Sequence, residues 1–405
     1  MVPSSKVATS QPAVLAGVRV VDLSQVLSGP YCTMILADLG AEVIKVEKPP
    51  IGDDARAFGP PFVNGESTYF QSVNRNKASI GLDLKRDRAS EVLWRLIDRA
   101  DVLVENFRPG TMEALGFDPE ACLARRPGLI YARVSGFGQR GPERATPGYD
   151  VIAQGLSGLM ASSGEPDGPP TKAAFSIGDI GAGMWAAIGI LGALFERTKS
   201  GRGQVVASSL MGGLVSWQAH ISQAVLSAHA KPRRLGSQHA SIMPYQRFMA
   251  KDRPFNLAVA NDPQWQRLCT VLDHPQWASD PRFRSNPDRV ANRQTLIPML
   301  DAVFAADEAS EWVARCRAAE VPAADILEVD EVLTHPQIEA MGLIWELQGE
   351  DQPWRTVGSP VELSRTPARG RSTPPRLGQH TDQVLADLGY TDAEIRRLRE
   401  DAVVA

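Results

Sequence analysis

The sequence predicts an α/β protein: a Rossmann-like parallel sheet with helices on both faces, joined to a smaller α+β unit. Two observations carry this. Through the first 210 residues, short β-branched runs alternate with helix-spaced runs, the order that builds parallel sheets. After Lys231-Pro232-Arg233-Arg234 the alternation gives way to one strand and three helices.

The run Val18-Arg19-Val20-Val21-Asp22-Leu23 follows Gly17 and reads as the first strand. A polar turn (24–29) leads to Pro30 at a helix-start position and an apolar helix that stops at Gly40. Glu42–Glu47 is the second strand and 79–84 the third, followed by helical spacing over 88–99 and strands at 102–104 and 129–134. Ligands of such a sheet gather at the carboxyl ends of its strands. From Gly181 the pattern is helical, and Ala182, Ala186, Gly189 and Ala193 form a small-residue stripe on which another backbone can pack. Residues 204–208 read as a strand and 210–227 as one long helix. The second unit has a strand at 255–260 and helices at 263–272, 292–305 and 309–319. Strands at 343–347 and around Val357 and Val361, a Pro-rich connector (366–375) and helices from Thr381 and Thr391 close the chain. The expected segments are a flexible 1–13, a large domain over 14–230, a small domain over 231–330, and 331–405 returning to the large domain.

Composition narrows the function. The 34 Gly and 30 Pro make about 16% of 405 residues, below the roughly 25–30% of low-complexity chains. Lys plus Arg at 43 against Asp plus Glu at 47 leaves a net charge of −4 and no basic tail, so no nucleic-acid partner is expected. The four cysteines lie far apart, without zinc spacing or disulfide density. Residues 1–13 lack the apolar run of a signal peptide, and the apolar stretch 181–195 stops at Glu196-Arg197, short of the roughly 20 residues of a membrane span. A soluble, cytoplasmic protein acting on small molecules is the expectation, with no metal site.

The first strand-turn-helix keeps only Gly29 of a dinucleotide fingerprint, and P-loop, zinc-protease and nucleophile-elbow motifs are absent. A carboxylate remains. Asp179, in Ser176-Ile177-Gly178-Asp179-Ile180-Gly181, stands before the most apolar helix among small residues. It reads either as a helix N-cap or as a nucleophile, and the two roles are compatible. The helix dipole is expected to favour its ionised form, and the N–H groups there suit a nascent oxyanion.

Several segments in order give the chain a family likeness. They are Gly17 to Pro30, Ala41 to Glu47, Gly52-Asp53-Asp54, Asn74-Arg75-Asn76-Lys77, Glu105-Asn106-Phe107, Ser135-Gly136-Phe137-Gly138, Gly148-Tyr149-Asp150, Gly201-Arg202-Gly203-Gln204 and Leu377-Gly378-Gln379-His380-Thr381. From Gly17 to about Val403 the chain resembles the class III, formyl-CoA transferase type CoA-transferases. The resemblance implies a large domain completed by the C-terminal segment and an interlocked homodimer. It implies Asp179 as nucleophile, attacking an acyl-CoA thioester to give an aspartyl-acyl anhydride and then an aspartyl-CoA thioester. Coenzyme A enters as a substrate, and no permanently bound cofactor is implied.

The resemblance also implies CoA contacts at Gln25, Lys48, Leu82, Asp83, Lys85, Asn106, Phe107, Arg108, Tyr149 and Asp150. Ala114 stands where some relatives have Arg, and no run of glycines occurs between Gln238 and Asp330, where the family often has one over the reacting Asp. α-Methylacyl-CoA racemases share the fold but resemble Gly-His-Asp where this chain has Gly148-Tyr149-Asp150, which argues against two-base proton exchange. A non-catalytic CoA-binding protein is the competing reading from another class. The segments around 52–69 and 239–246 resemble the branch that uses succinyl-CoA and dicarboxylic acids. Arg56 or Arg247 is the expected partner of a distal carboxylate, since a guanidinium fork suits one.

Overall fold

The computed structural model describes residues 13–349 and 352–405. The flexible start expected over 1–13 lies, for residues 1–12, outside the described residues. The chain divides into two compact units. The larger comprises the described residues up to Leu159 with Lys172–Leu226 and Gln337–Ala405, and the smaller comprises Met160–Thr171 and Ser227–Pro336. Residues 160–171, read from sequence as part of the large domain, thus join the smaller unit.

The larger unit is built on six parallel strands: β1 (Arg19–Asp22), β2 (Glu42–Glu47), β3 (Lys77–Gly81), β4 (Val102–Glu105), β5 (Ile130–Ser135) and β6 (Val205–Ser209). Their order is β3-β2-β1-β4-β5-β6, so the sheet reverses direction of growth beside β1. A crevice opens at such a point, at the carboxyl ends of the two strands. Side-chain alternation along the strands separates two cores. Val21, Leu103 and Tyr131 pack with α2 (Ala89–Arg99) and the C-terminal helices Thr381–Asp387 and Asp392–Glu400. Val20, Val102, Val104 and Ile130 pack with α1 (Ser28–Asp38) and α4 (Ile177–Ser200) on the other face.

The small-residue stripe does what its spacing predicts. Ala182, Ala186 and Ala193 are buried, and a Cβ on Gly183 would overlap the carbonyl of Ser28 in α1. The helix itself is longer than the sequence suggests: 24 residues, with a mean hydropathy of 1.6 over 18 of them. By length and composition alone it passes for a membrane span, which corrects the 15-residue reading. Its inner face nevertheless packs against α1, β5 and β6. The expected long helix at 210–227 is two, α5 (Leu210–Trp217) and Ala219–Ala228, parted at Gln218, whose side chain donates to Ser157 O at 2.8 Å.

The Leu377–Thr381 motif closes the free edge of β3. His380 N donates to Ser79 O (2.9 Å), Ser79 N donates to His380 Nδ1 (3.2 Å), and Gly81 N donates to Thr381 Oγ1 (3.1 Å). An open edge is thereby covered by the returning chain. A hairpin of Ile344–Leu347 and Trp354–Val357 precedes it, and Val361 lies beyond that strand because Gly358-Ser359-Pro360 ends the ladder.

The smaller unit has its own core of Phe255, Trp265, Phe304 and Trp312 around three antiparallel strands. Only the middle one, Pro254–Ala258, is legible in sequence. In Tyr245–Met249 a buried position is held by Gln246, which spoils the apolar alternation, and Ala323–Asp325 is too short to show a period. Three helices, Asp262–Val271, Arg293–Phe304 and Ala309–Ala318, cover the sheet within one or two residues of their expected ends.

Candidate active site

The turn after β1 is fastened from below by buried charge. Asp22 accepts from Lys77 Nζ (3.1 Å), Thr33 Oγ1 (2.6 Å), Ser24 N (2.9 Å) and the Ser24 hydroxyl. Lys45 Nζ pairs with Asp53 (2.8 Å) and donates to Ser24 O (2.7 Å). Asp53 in turn accepts from Val26 N at 2.9 Å, and Val26 sits at φ +67°. A β-branched residue there is strained, and such strain persists only where the surroundings over-determine the backbone. Across the crevice, Asn106 after β4 clamps the same turn: its Oδ1 accepts from Gln25 N and its Nδ2 donates to Gln25 O, both at 2.8 Å.

Above this floor lies a cavity of about 320 Å³ at the carboxyl ends of β1, β4 and β5. Gln25, Asn106, Phe107, Arg108, Tyr149 and Asp179 all line it, so six of the residues expected from sequence share one space. Its wall also includes Arg144 and the backbone crossing of Gly136 and Gly148, where a Cβ on Gly136 would stand 2.7 Å from Gly148 Cα. Those glycines carry no site role in the sequence reading; a glycine directly after β5 and another just before the helix Asp150–Leu156 were the available signal. Arg108 and Arg144 are guanidiniums that face this space.

Asp179 is not a cap. Ser176 occupies the N-cap and Asp179 is the third residue of α4, with no hydrogen bond to its carboxylate among the described residues. Burial, reinforced by the neighbouring carboxylate of Asp150, raises its pKa from 3.8 to about 7, which corrects the expectation of a readily ionised group. Tyr69, on a short helix (Thr68–Gln71), was not singled out from sequence. Burial and then the charge of Asp179 raise its phenol. It packs with Val26, Leu27, Tyr31 and Ile180, an apolar patch beside the carboxylate.

Other expected residues stand elsewhere. Lys48 is exposed after β2 and does not line the cavity. Leu82 is 1% exposed in the core, so its side chain cannot line a ligand site; the reason is its position on the inner face just past β3. Asp83 Oδ1 accepts from Lys85 N (3.1 Å) in the loop that follows, away from the cavity. Asp150 is buried behind the cavity wall.

Arg56 is a clear correction. Its guanidinium is consumed by Glu47 (2.7 and 2.8 Å), Glu66 (3.3 Å) and Pro375 O (3.0 Å), and lies over the Phe70 ring. Four of its five N–H donors are taken, and the single Nη1–H that remains cannot grip a carboxylate with the fork. Arg247 belongs to the smaller unit, exposed and 3.6 Å from Glu165.

The model for CoA-transferase family III matches residues 15–381. The chain belongs to this family. It is 37% identical over 392 residues to the succinyl-CoA:glutarate CoA-transferase of Mus musculus, covering 96% of this chain and 90% of that protein. It is 40% identical over 349 residues to the acetyl-CoA:oxalate CoA-transferase of Acetobacter aceti, covering 86% and 88%. Among solved structures, a CAIB/BAIF family protein from Brucella suis matches with a TM-score of 0.85 at 36% identity, covering 93% of this chain and all of that one. As a family III CoA-transferase the chain handles CoA thioesters. Its cavity offers the Asp179 carboxylate, with no protein partner for its oxygens among the described residues, Asp54 on the exposed wall, apolar neighbours, and two guanidiniums for anionic groups.

Proposed function

We propose that this enzyme moves CoA from an acyl-CoA, succinyl-CoA in the first instance, to a small carboxylic or dicarboxylic acid, with Asp179 as nucleophile. The observation that carries the reading is Asp179 itself: a carboxylate in the cavity at the sheet's switch point, with no hydrogen bond from the described residues to blunt it. Its oxygen attacks the thioester carbonyl and expels the thiolate, giving an aspartyl-acyl anhydride. The thiolate returns to the aspartyl carbonyl, releasing the first acid and leaving an aspartyl-CoA thioester. The second acid then repeats the two steps in reverse. Each step exchanges one activated acyl bond for another, so the thioester's energy is kept as long as water is excluded. The names of relatives that use succinyl-CoA with glutarate support the donor and acceptor class.

The reading includes a homodimer, interlocked as the family likeness implies. Supporting it, α4 turns Trp185, Ile188 (55% exposed) and Phe195 (65% exposed) outward, and α3 (Asp150–Leu156) turns out Val151, Ile152 and Leu156. Large apolar side chains exposed on two helices of one unit fit an interface. Location in the cytoplasm, without nucleic-acid or membrane partners or a resident cofactor, completes the proposal.

The test is chemical. The enzyme is incubated with succinyl-CoA, quenched with hydroxylamine, and the peptide holding Asp179 is weighed. A hydroxamate at Asp179, with at least about a thousandfold lower exchange in Asp179→Asn, is expected. Unmodified Asp179, or an Asn variant as fast as the parent, overturns the proposal.

A further inference from the structure

Asp150 is 9% exposed, does not line the cavity, and yet touches the turn that carries Asp179. Its Oδ1 accepts from Gly178 N at 2.7 Å. Gly178 is the second residue of α4, and its N–H is one of the donors that a helix start leaves unpaired; the N-cap Ser176 makes no side-chain cap of its own. The carboxylate of α3 therefore caps α4 from outside. Its Oδ2 accepts from Gln154 Nε2 (2.6 Å), and the fully buried Gln154 accepts through Oε1 from Ala173 N (2.8 Å). One side-chain relay thus holds both ends of the 173–178 segment. The glycine at 178 is part of the device, since a Cβ there would lie 2.9 Å from Asp150 Oδ1 and 3.2 Å from Leu214 Cδ1.

We propose that Asp150 is a positioning residue for the transfer reaction: from α3 it latches the first turn of α4, fixing where the Asp179 carboxylate lies and setting a second carboxylate beside it. The inference rests on Asp179 being the nucleophile. A like charge beside a half-buried carboxylate favours its protonated form. The other groups around Asp179 do not offer the same control. Tyr69 and Tyr31 are phenols, and Cys32 is buried on α1. Asp54, Arg108, Arg144 and Tyr149 line the cavity, which is open to solvent. Arg133 of β5 is already paired with Glu105 and Glu113, and α5 and β6 carry nothing titratable. With Asp150 in place, the enzyme holds its nucleophile partly protonated at neutral pH and exposes it as a carboxylate only as the pH rises.

The experiment compares full-length parent, Asp150→Asn and Asp150→Ala in succinyl-CoA exchange from pH 5 to 9, with folding checked by circular dichroism. Asn keeps an oxygen for Gly178 and loses the charge, together with the Gln154 bond, because its Nδ2 would face Gln154 Nε2 donor to donor. The acid midpoint of kcat/KM is expected to fall by roughly one pH unit, with the alkaline plateau held within about threefold. Ala loses latch and charge, so its midpoint falls likewise and its plateau drops about tenfold or more. A midpoint unmoved in Asn overturns the electrostatic role, and a parent-like plateau in Ala overturns the latch. A second readout needs no activity: the difference in thermal stability between the parent and Asp179→Asn across pH, measured with and without Asp150→Asn, titrates Asp179 directly. If Asp179→Asn stays active, the nucleophile falls while this curve still decides whether Asp150 acts on Asp179. An unshifted curve overturns the proposal, and so do Ala and Asn variants that both fail to fold, since a latch confined to one turn leaves the fold intact.

Discussion

Two shielded aspartates of the larger unit make opposite use of the same sheet. Asp22, at the end of β1, is fully buried, which pushes its proton affinity up. Lys77, Lys45 and the hydroxyls of Ser24 and Thr33 outweigh that and hold its pKa at about 2. Asp179 is also largely screened from water, but the charge that acts on it is another carboxylate, and its pKa rises to about 7. Depth alone therefore predicts nothing about charge. What the side chain meets decides, and the fold sets a paired ionic floor beneath the turn that lines the nucleophile's cavity.

The sharpest way to break this contrast is to remove the floor. Asp22→Asn leaves Lys77 with less compensation in a dry site and is expected to cost about 3–5 kcal/mol in urea unfolding at pH 7. Because the folded-state pKa of Asp22 is lowered, its contribution is present above 3.8 and is lost as pH falls towards 2, so parent and variant should converge in acid. Equal stability at pH 7 would show that the floor contributes nothing.

A middle effect concerns Arg56. Its pairing with Glu47 predicts a loss of about 2–3 kcal/mol in Arg56→Ala, while the preference for dicarboxylate over monocarboxylate acceptors stays within about twofold. A selective loss of dicarboxylate activity in a normally stable variant would return Arg56 to the substrate.

The smallest effect has the opposite sign. The folded-state pKa of Asp179 is raised, so its contribution is intact below 3.8 and is lost as pH rises through about 7. Asp179→Asn should therefore be more stable than the parent above pH 7, by about 1–3 kcal/mol after allowing for solvent access, with no gain at pH 4. Calorimetry at the two pH values checks it. A variant that loses stability at pH 8 would mean that the carboxylate has a partner, and the contrast with Asp22 would vanish.

The alternation of strands and helices and the small-residue stripe were legible because they are local: a period or a turn needs only neighbouring residues. Asp179 was legible in the same way, as an acid set among small residues before an apolar run. That it is no cap was not legible, because the helix begins two residues earlier, at Ile177, through a bond from Asp150 that lies 28 positions from Gly178. Arg56 misled for the same reason. A lone arginine in a sequence looks available, and only the fold shows Glu47, Glu66 and Pro375 closing around it. Strand Tyr245–Met249 hid behind Gln246, a polar residue that tertiary packing buried.

The order of residues by itself determined the sheet, its helices and the candidate nucleophile, since hydrophobic period and turn chemistry act over a few positions. Only the tertiary structure decided which charges are spent and which are left to act. That balance depends on distances between segments far apart in the chain, and burial multiplies the energy of every such encounter.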